Sequence, residues 1–378
     1  MCFVLLVAGG QFIRSLARAG HVDPGFRPDN VLNVHMDVGQ LGYTEGQGRA
    51  FFQEIEQRVR AVPGVENLAF SSTIPMGYIY TSRPIDIEKQ TIRGHDRPLA
   101  GMNPVSPAYF ATMSIPIIRG RSFTMQDDQR APRVAIVNER LAEELWPGRD
   151  PLGQRFSFTG NEGPWAEVVG VTKTGKYHTL FEDPQPYFYV PLAQFYTGLR
   201  VLQVRTSSPP ETLMPSIERI IRAREPELVL FDVQSMARAL GGGYGLFLVR
   251  VGALFAAIFV MLGLTLVAVG LYGVLSYTTS ERTHEIGVRM ALGAAARDVL
   301  GLTLKQGMMP VAAGIGIGLP GAMATARLMS RLLFGITAAD PLTLAGVTLF
   351  LVSVALGASY LPARRAVRID PMTALRHE

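Results

Sequence analysis

The chain has almost no cysteine: Cys2 is the only one in 378 residues, so no disulfide forms within it and cross-links do not hold the fold. The same scarcity excludes a thiolate metal cluster. Its 6 histidines supply no His-Glu-x-x-His pattern. His21, His35, His95 and His178 are scattered, and lone histidines of this kind are read as solvated or packed. Charge is also sparse, at 18%, and what is missing is missing unevenly. After Tyr244 the chain carries long uncharged runs, whereas before it the composition resembles that of a soluble protein. A length of 378 residues allows two or three structural units, and this shift marks the first boundary between them.

The net charge of +5 raises the question of nucleic acid. Its placement answers it, because Arg364, Arg365 and Arg368 sit beside apolar segments, where positive charge sets membrane topology. No nucleic-acid partner is expected.

Between Arg250 and Glu281 lie 30 residues without a charge, while a spanning helix needs about 20. Two further uncharged runs, Gly307 to Ala326 and Pro341 to Ala363, are also long enough to cross. Glycine and proline in the second run would weaken a soluble helix, but in a bilayer small residues allow close packing. The spans are therefore expected at about 249–279, 307–326 and 342–362. Arg282, Arg289, Arg297 and Lys305 in the first loop, with Arg364, Arg365, Arg368 and Arg376 in the tail, outnumber Arg327 and Arg331 in the short loop. That asymmetry puts the 281–306 loop and the C-terminus in the cytoplasm and everything before Arg250 outside. Met1 to Ile13 is apolar but too short to span. It reads either as the C-terminal half of a truncated transmembrane helix (1–19) or as a signal peptide, and the missing basic n-region favours the former.

From His21 to about Gly243 strand-like and helix-like stretches alternate, as in an α+β domain. Val31–Val38 alternates as a half-buried strand, and Phe51, Ile55, Val59 and Val62 recur at helical spacing up to Pro63-Gly64. Arg133–Val137 reads as a strand running into a helix over 138–145, Glu167–Val171 and Leu202–Arg205 as strands, and Leu213, Ile217, Ile220 and Ile221 as an amphipathic helix. Glu227 to Ala239 leads through a hinge at Gly241-Gly242-Gly243 toward the membrane. Asp127-Asp128 reads as a solvated loop.

Two motifs mislead. Gly170 to Lys176 fits the first seven positions of a phosphate-binding loop, but Tyr177 stands where a Ser or Thr hydroxyl should reach magnesium, and the next residues, HTLFEDPQP, make a poor helix. Gly316, Gly318 and Gly321 match a dinucleotide fingerprint inside an expected membrane span, where they read as helix packing. No cofactor and no catalytic constellation is expected.

The cytoplasmic loop is the most informative stretch. Glu281, Glu285 and Arg289 fall at i, i+4, i+8, with Ile286 and Met290 on another face. By itself this reads either as a solvated loop or as a docking helix for a cytoplasmic partner. Arg282 to Ala294 (RTHEIGVRMALGA) resembles the signature of FtsX-like, MacB-like permeases of ATP-binding cassette systems. So do Leu271–Leu275, Asp340–Thr343, Tyr360–Ala366 and Asp370–Leu375, and upstream Val22–Phe26, Pro63–Val65, Val105–Phe110, Val134–Glu139 and Asp150–Gly153 are similar to that family's periplasmic core domain.

The resemblance implies a membrane protein: an α-helical transmembrane bundle, three complete spans plus a truncated first span, with an inserted α+β periplasmic domain over 20–243 and an FtsX-like permease domain over 244–378. It further implies a multi-pass protein of the bacterial inner membrane without enzymatic activity of its own. A separate ATPase docks on the cytoplasmic loop, with Glu285, Gly287, Arg289 and Gly293 as its contacts, and ATP-driven motion is passed to the periplasmic domain for efflux or mechanotransmission. A second permease module, in a homodimer or pseudo-dimer, and the lipid bilayer complete the set of partners. The competing readings are a membrane-anchored sensor or scaffold without ATP-driven motion, and a non-functional fragment of a longer permease.

Overall fold

The computed structural model describes residues 4, 6–7, 22–88, 97–160, 163–180, 182–242, 247–281, 296–329 and 341–367. It divides into two compact units, one of His21–Phe247 and one of Met1–Gly20 with Leu248–Glu378.

The first unit is built on a mixed sheet. Its strands are β1 (Val31–Asp37), β2 (Val65–Ser71), β3 (Ser82–Pro84), β4 (Asp86–Ile87), β5 (Leu99–Val105), β6 (Ile117–Gly120), β7 (Val134–Asn138), β8 (Arg155–Ser157), β9 (Ala166–Thr172), β10 (Tyr187–Pro191), β11 (Leu199–Thr206) and β12 (Leu230–Ser235). They run in the order β12-β1-β11-β2-β5-β10-β7-β9-β8-β4, with β3 beside β5 and β6 beside β9. β10 is parallel to β5 and β7 to β9; the remaining pairs are antiparallel. The helices are α1 (Glu45–Arg60), α2 (Tyr109–Met113), α3 (Glu139–Leu145), α4 (Pro210–Arg224) and α5 (Met236–Gly241).

Alternation along the strands explains how the sheet is covered, since successive side chains point to opposite faces. Leu32, Val34 and Met36 of β1, Leu68 and Phe70 of β2 and Leu202 and Val204 of β11 enter one core with Phe51, Phe52, Ile55 and Val59 of α1 and Ile217 and Ile221 of α4. α1 begins with a reciprocal capping box between Thr44 and Gln47, which satisfies two backbone donors that a helix start otherwise leaves open. On the far half, α3 lays Leu141, Ala142 and Leu145 against Ala135, Val137, Val168 and Phe188. A third core holds Val31, Ala69 and Val201 together with Tyr109, Phe110 and Met113 of α2.

The second unit holds three long helices, α6 (Phe247–Glu281), α7 (Ala296–Met329) and α8 (Pro341–Val367). At 1.5 Å per residue the 35 residues of α6 extend about 52 Å. Its stretch Arg250–Val274 is long and apolar enough to cross a bilayer, while the apolar stretches of the other two are Met308–Ala324 and Leu344–Ala358. α7 and α8 pack on each other. Leu6 and Val7 are buried with Ala322 and Leu351, and Val4, Val260, Leu264 and Ile315 pack around them. Many large apolar side chains of α6 stay exposed, among them Leu254, Phe255, Met261 and Leu266, which water would penalise and lipid would not. Gly316 and Gly321 lie within α7, where a Cβ at Gly321 would touch Val4.

Both tryptophans, Trp146 and Trp165, lie in the first unit, so their emission reports its unfolding in the intact chain. Ile55 is fully buried between α1 and the sheet. Ile55→Ala should therefore cost about 2–5 kcal/mol and lower the denaturant midpoint of that signal without changing its slope.

Candidate functional site

Glu285, Gly287, Arg289 and Gly293 lie outside the described residues. Among the described residues, no group of three His, Cys, Asp or Glu is placed to hold a metal ion. What the structure brings together is the beginning and the end of the soluble unit. Val22 and Phe26, at its start, and Met236, Ala239 and Leu240, at its end, pack into the same apolar core beside Tyr109 and Tyr177.

The incoming segment is tied down by many short bonds. The Asp23 carboxylate accepts from the Gly25 amide at 2.9 Å and pairs with the Lys173 ammonium at 2.9 Å. The Lys173 hydrogen bond, then the Gly25 amide, hold the Asp23 carboxyl below its ordinary value, and Asp23 in turn raises Lys173. Gly25, at φ +84°, lies so close to the Gly175 backbone that a Cβ would stand 2.6 Å from the Gly175 Cα. The Lys176 amide donates to the Pro24 carbonyl at 2.9 Å. Further on, the Arg205 guanidinium of β11 donates to the carbonyls of Thr112, Asp29 and Arg27 at 2.6, 3.1 and 3.1 Å. One side chain thus clamps three carbonyls.

The stretch that receives this segment begins in the sequence resembling a phosphate-binding loop, Gly170 to Lys176, and runs on to Glu182. Its amides are already occupied. The Glu182 carboxylate accepts from the backbone N–H groups of Tyr177 (2.6 Å), His178 (2.9 Å) and Thr179 (3.1 Å). The Lys176 ammonium donates to the Glu182 carbonyl. The chain's own carboxylate sits in the nest of amides that follows the motif. Tyr177 is stacked flat on Tyr187 at 3.8 Å, and its hydroxyl receives bonds from Asn138 and the Gly175 amide.

Asn138 joins these parts. As N-cap of α3 its side-chain oxygen accepts from the Leu141 amide at 2.9 Å and the Tyr187 amide at 3.1 Å. Its amide nitrogen donates to the Gln185 carbonyl at 2.7 Å and the Tyr177 hydroxyl at 3.2 Å. Both its acceptor positions and both its donors are used. Glu139, next in sequence, accepts from the Thr174 amide at 3.1 Å.

The outgoing segment is held otherwise. Among the described residues β12 is an edge strand paired with β1, and a bulge interrupts the register between Asn33 and His35. At the bulge Asp232 adopts φ +51°. His35, 6% exposed, places Nδ1 3.4 Å from the Asp232 carbonyl and 3.7 Å from its carboxylate, and its ring packs on Phe231. Burial pushes the imidazole below its ordinary value against the opposing pull of Asp232.

The MacB-like periplasmic core domain model matches residues 1–225 and the FtsX-like permease C-terminal model residues 257–371. The chain belongs to the MacB-like, FtsX-type family of ATP-binding cassette permeases. The macrolide export ATP-binding/permease protein MacB of Rhodospirillum rubrum is 29% identical over 293 residues, covering 73% of this chain and 43% of that protein. The ABC transporter permease YknZ of Bacillus subtilis is 26% identical over 297 residues, covering 74% of this chain and 70% of that one. Against the first of these, the permease spans less than half the relative's length. The periplasmic region of MacB from Actinobacillus actinomycetemcomitans aligns with 13% identity and a TM-score of 0.40, covering 57% of this chain and 92% of that one.

Three of the segments that carry the resemblance, 22–26, 105–110 and 134–139, lie in or beside the incoming attachment of the permease. Arg205 and Glu182 escape sequence reading because their partners are backbone groups, which no side-chain pattern announces. The Asp127-Asp128 reading needs correction at Asp127, whereas Asp128 is exposed as expected. Asp127 is buried, bonded to the Arg121 guanidinium at 2.8 and 2.9 Å and to the Thr124 amide at 2.8 Å; Asp128 accepts from the amides of Arg130 and Ala131. The acids fold this loop around themselves.

Asn138→Ala should lower the stability of the soluble unit by roughly 2–4 kcal/mol, because buried amides and a carbonyl lose their partner. Arg121, against the opposing effect of burial and helped by the Thr124 amide, holds the Asp127 carboxyl below its ordinary value of 3.8. Its contribution is therefore present above about pH 4 and lost as pH falls through the folded value. Asp127→Asn should lower the unfolding temperature at neutral pH and flatten the acid limb of the stability profile; an unchanged acid limb contradicts this.

Proposed function

We propose that this chain is the permease component of a transporter in which a separate cytoplasmic ATPase drives movement of an extracytoplasmic domain. The observation that carries the reading is that the two family matches tile the soluble and helical parts in series, 1–225 and 257–371. The soluble unit begins and ends in one shared core, as an insertion between membrane helices requires. Continuous α6 then provides a stiff element in sequence between that unit and the 282–295 loop.

In this reading α6, α7 and α8 each cross the inner membrane, at about 249–279, 307–326 and 342–362, and residues 1–19 belong to a first helix. The domain of 20–243 is periplasmic, and the C-terminus and the 281–306 connection, whose residues from Ala296 on are the first turns of α7 rather than loop, are cytoplasmic. The ATPase docks on that loop, where Glu285 and Arg289 make charged contacts and Gly287 and Gly293 allow close approach. The fused ATP-binding/permease name of the R. rubrum relative supports an ATPase partner for a chain that spans 43% of its length. A second permease module pairs with this one. Chemistry belongs to the ATPase, and the permease converts its closure into movement.

The test is a detergent pull-down of the tagged chain from its own membranes, wild type against Glu285→Lys/Arg289→Glu. An ATPase should co-purify with the wild type and be lost from the correctly inserted double variant. An ATPase retained by the variant removes the docking assignment. The absence of any ATPase from either preparation favours the anchored sensor or scaffold.

A further inference from the structure

The two long helices that flank the 282–295 loop are built differently. α6 contains no proline, so each turn of it can complete its own backbone ladder. α7 contains Pro310 and Pro320 in its interior. A proline has no N–H to give to the carbonyl four residues before it, and its ring crowds that carbonyl, so the ladder of α7 is interrupted at Gln306 and at Gly316. Sharp bends in helices arise at such points.

The two prolines differ in their surroundings. Val311, Ile315, Gly318 and Ala322 fall at i, i+4, i+7 and i+11 and form one buried or half-buried stripe along α7. Ile315 and Ala322 join the core that holds Leu6, Val7 and Leu351. Pro320 therefore lies in a packed part of the helix, where neighbours hold it despite the gap in its ladder. The stripe starts at the residue after Pro310. Before it, among the side chains described, Gly301, Lys305 and Met309 are exposed and Met308 is half-buried. Gly314, one turn beyond Pro310, makes no room for a neighbour, since among the described residues nothing lies within 4 Å of where a Cβ would stand. Its effect there is to loosen the helix.

We infer that Pro310 is a joint that divides α7 into a free arm, 296–309, and a packed part, 311–329, so that the loop is held stiffly on its α6 side and pivots on its α7 side. The arm is about 21 Å long at 1.5 Å per residue. Swinging it costs little, because the backbone bond that would resist bending at Pro310 does not exist and the described side chains of the arm have little packing to lose. Displacing the end of α6 must instead carry an unbroken helix with it. A push on the loop thus passes along α6, while the packed part of α7 stays with α8. The purpose of the joint rests on the reading that the loop receives a cytoplasmic partner; its existence does not.

The test is pulsed electron resonance on the intact chain in detergent with no ATPase present, spin-labelled at cysteine pairs in a Cys2→Ser background and diluted with unlabelled chain. Gly301→Cys with Ile317→Cys straddles Pro310, and Leu254→Cys with Gly270→Cys has the same spacing on α6; all four positions are exposed. The α7 pair should give a distance distribution roughly twice as wide as the α6 pair. Pro310→Ala should narrow it to the α6 width, and Pro320→Ala should leave it broad. The joint is overturned by an α7 distribution no wider than that of α6, by a width that survives Pro310→Ala, or by an equal narrowing in Pro320→Ala. A rigid α7 would leave the ATPase reading standing, and a failed pull-down would leave the joint standing.

Discussion

The soluble unit is closed by one apolar core that holds segments more than 200 residues apart, with Phe26 near its start and Met236 near its end. A domain inserted into a membrane chain has to return the polypeptide close to where it received it. Burying both ends together enforces that return, and it does so with non-directional apolar contact rather than a bond that one substitution would sever.

The two attachments differ in chemistry, and the difference has a mechanical sense. The incoming segment is held by charge-assisted and backbone bonds: Asp23 to Lys173 and Gly25, Pro24 to Lys176, and Arg205 to three carbonyls. Such bonds are short and directional, and they fix position. The outgoing strand is held by half-burial, a bulge and one histidine. The first attachment is thus made of directional polar bonds and the last mainly of apolar packing. The 173–182 loop belongs to the fixed side. There the Glu182 carboxylate accepts from three successive backbone amides.

Much of this was legible in the sequence, and what was not has physical causes. β1, β7, β9 and β11 show alternation or short β-branched runs, and α1 and α4 show a clear apolar stripe, so local pattern and burial agree. β5 carries no clear strand pattern, because Gly101, Asn103 and Pro104 interrupt it. Two of these have a packing reason: the Tyr187 ring lies where a Cβ at Gly101 would be, and Asn103 bonds to Ser72 and to Thr73. The pairing of β1 with β11 joins residues about 170 apart, which no local signal announces. The buried role of Asp127 was hidden for a similar reason, since two adjacent aspartates in a polar stretch look solvated until Arg121 is brought beside them. The docking residues Glu285, Gly287, Arg289 and Gly293 rest on sequence resemblance and charge spacing, outside the described residues.

The account stands on orientation: the soluble unit outside, the loop after α6 inside. Single cysteines in a Cys2→Ser background, M125C on an exposed turn of the soluble unit and E285C in the loop, test it directly with a membrane-impermeant maleimide on intact spheroplasts. The account predicts labelling of M125C from outside and of E285C only after permeabilisation. Labelling of E285C on intact spheroplasts, with M125C protected, would contradict it.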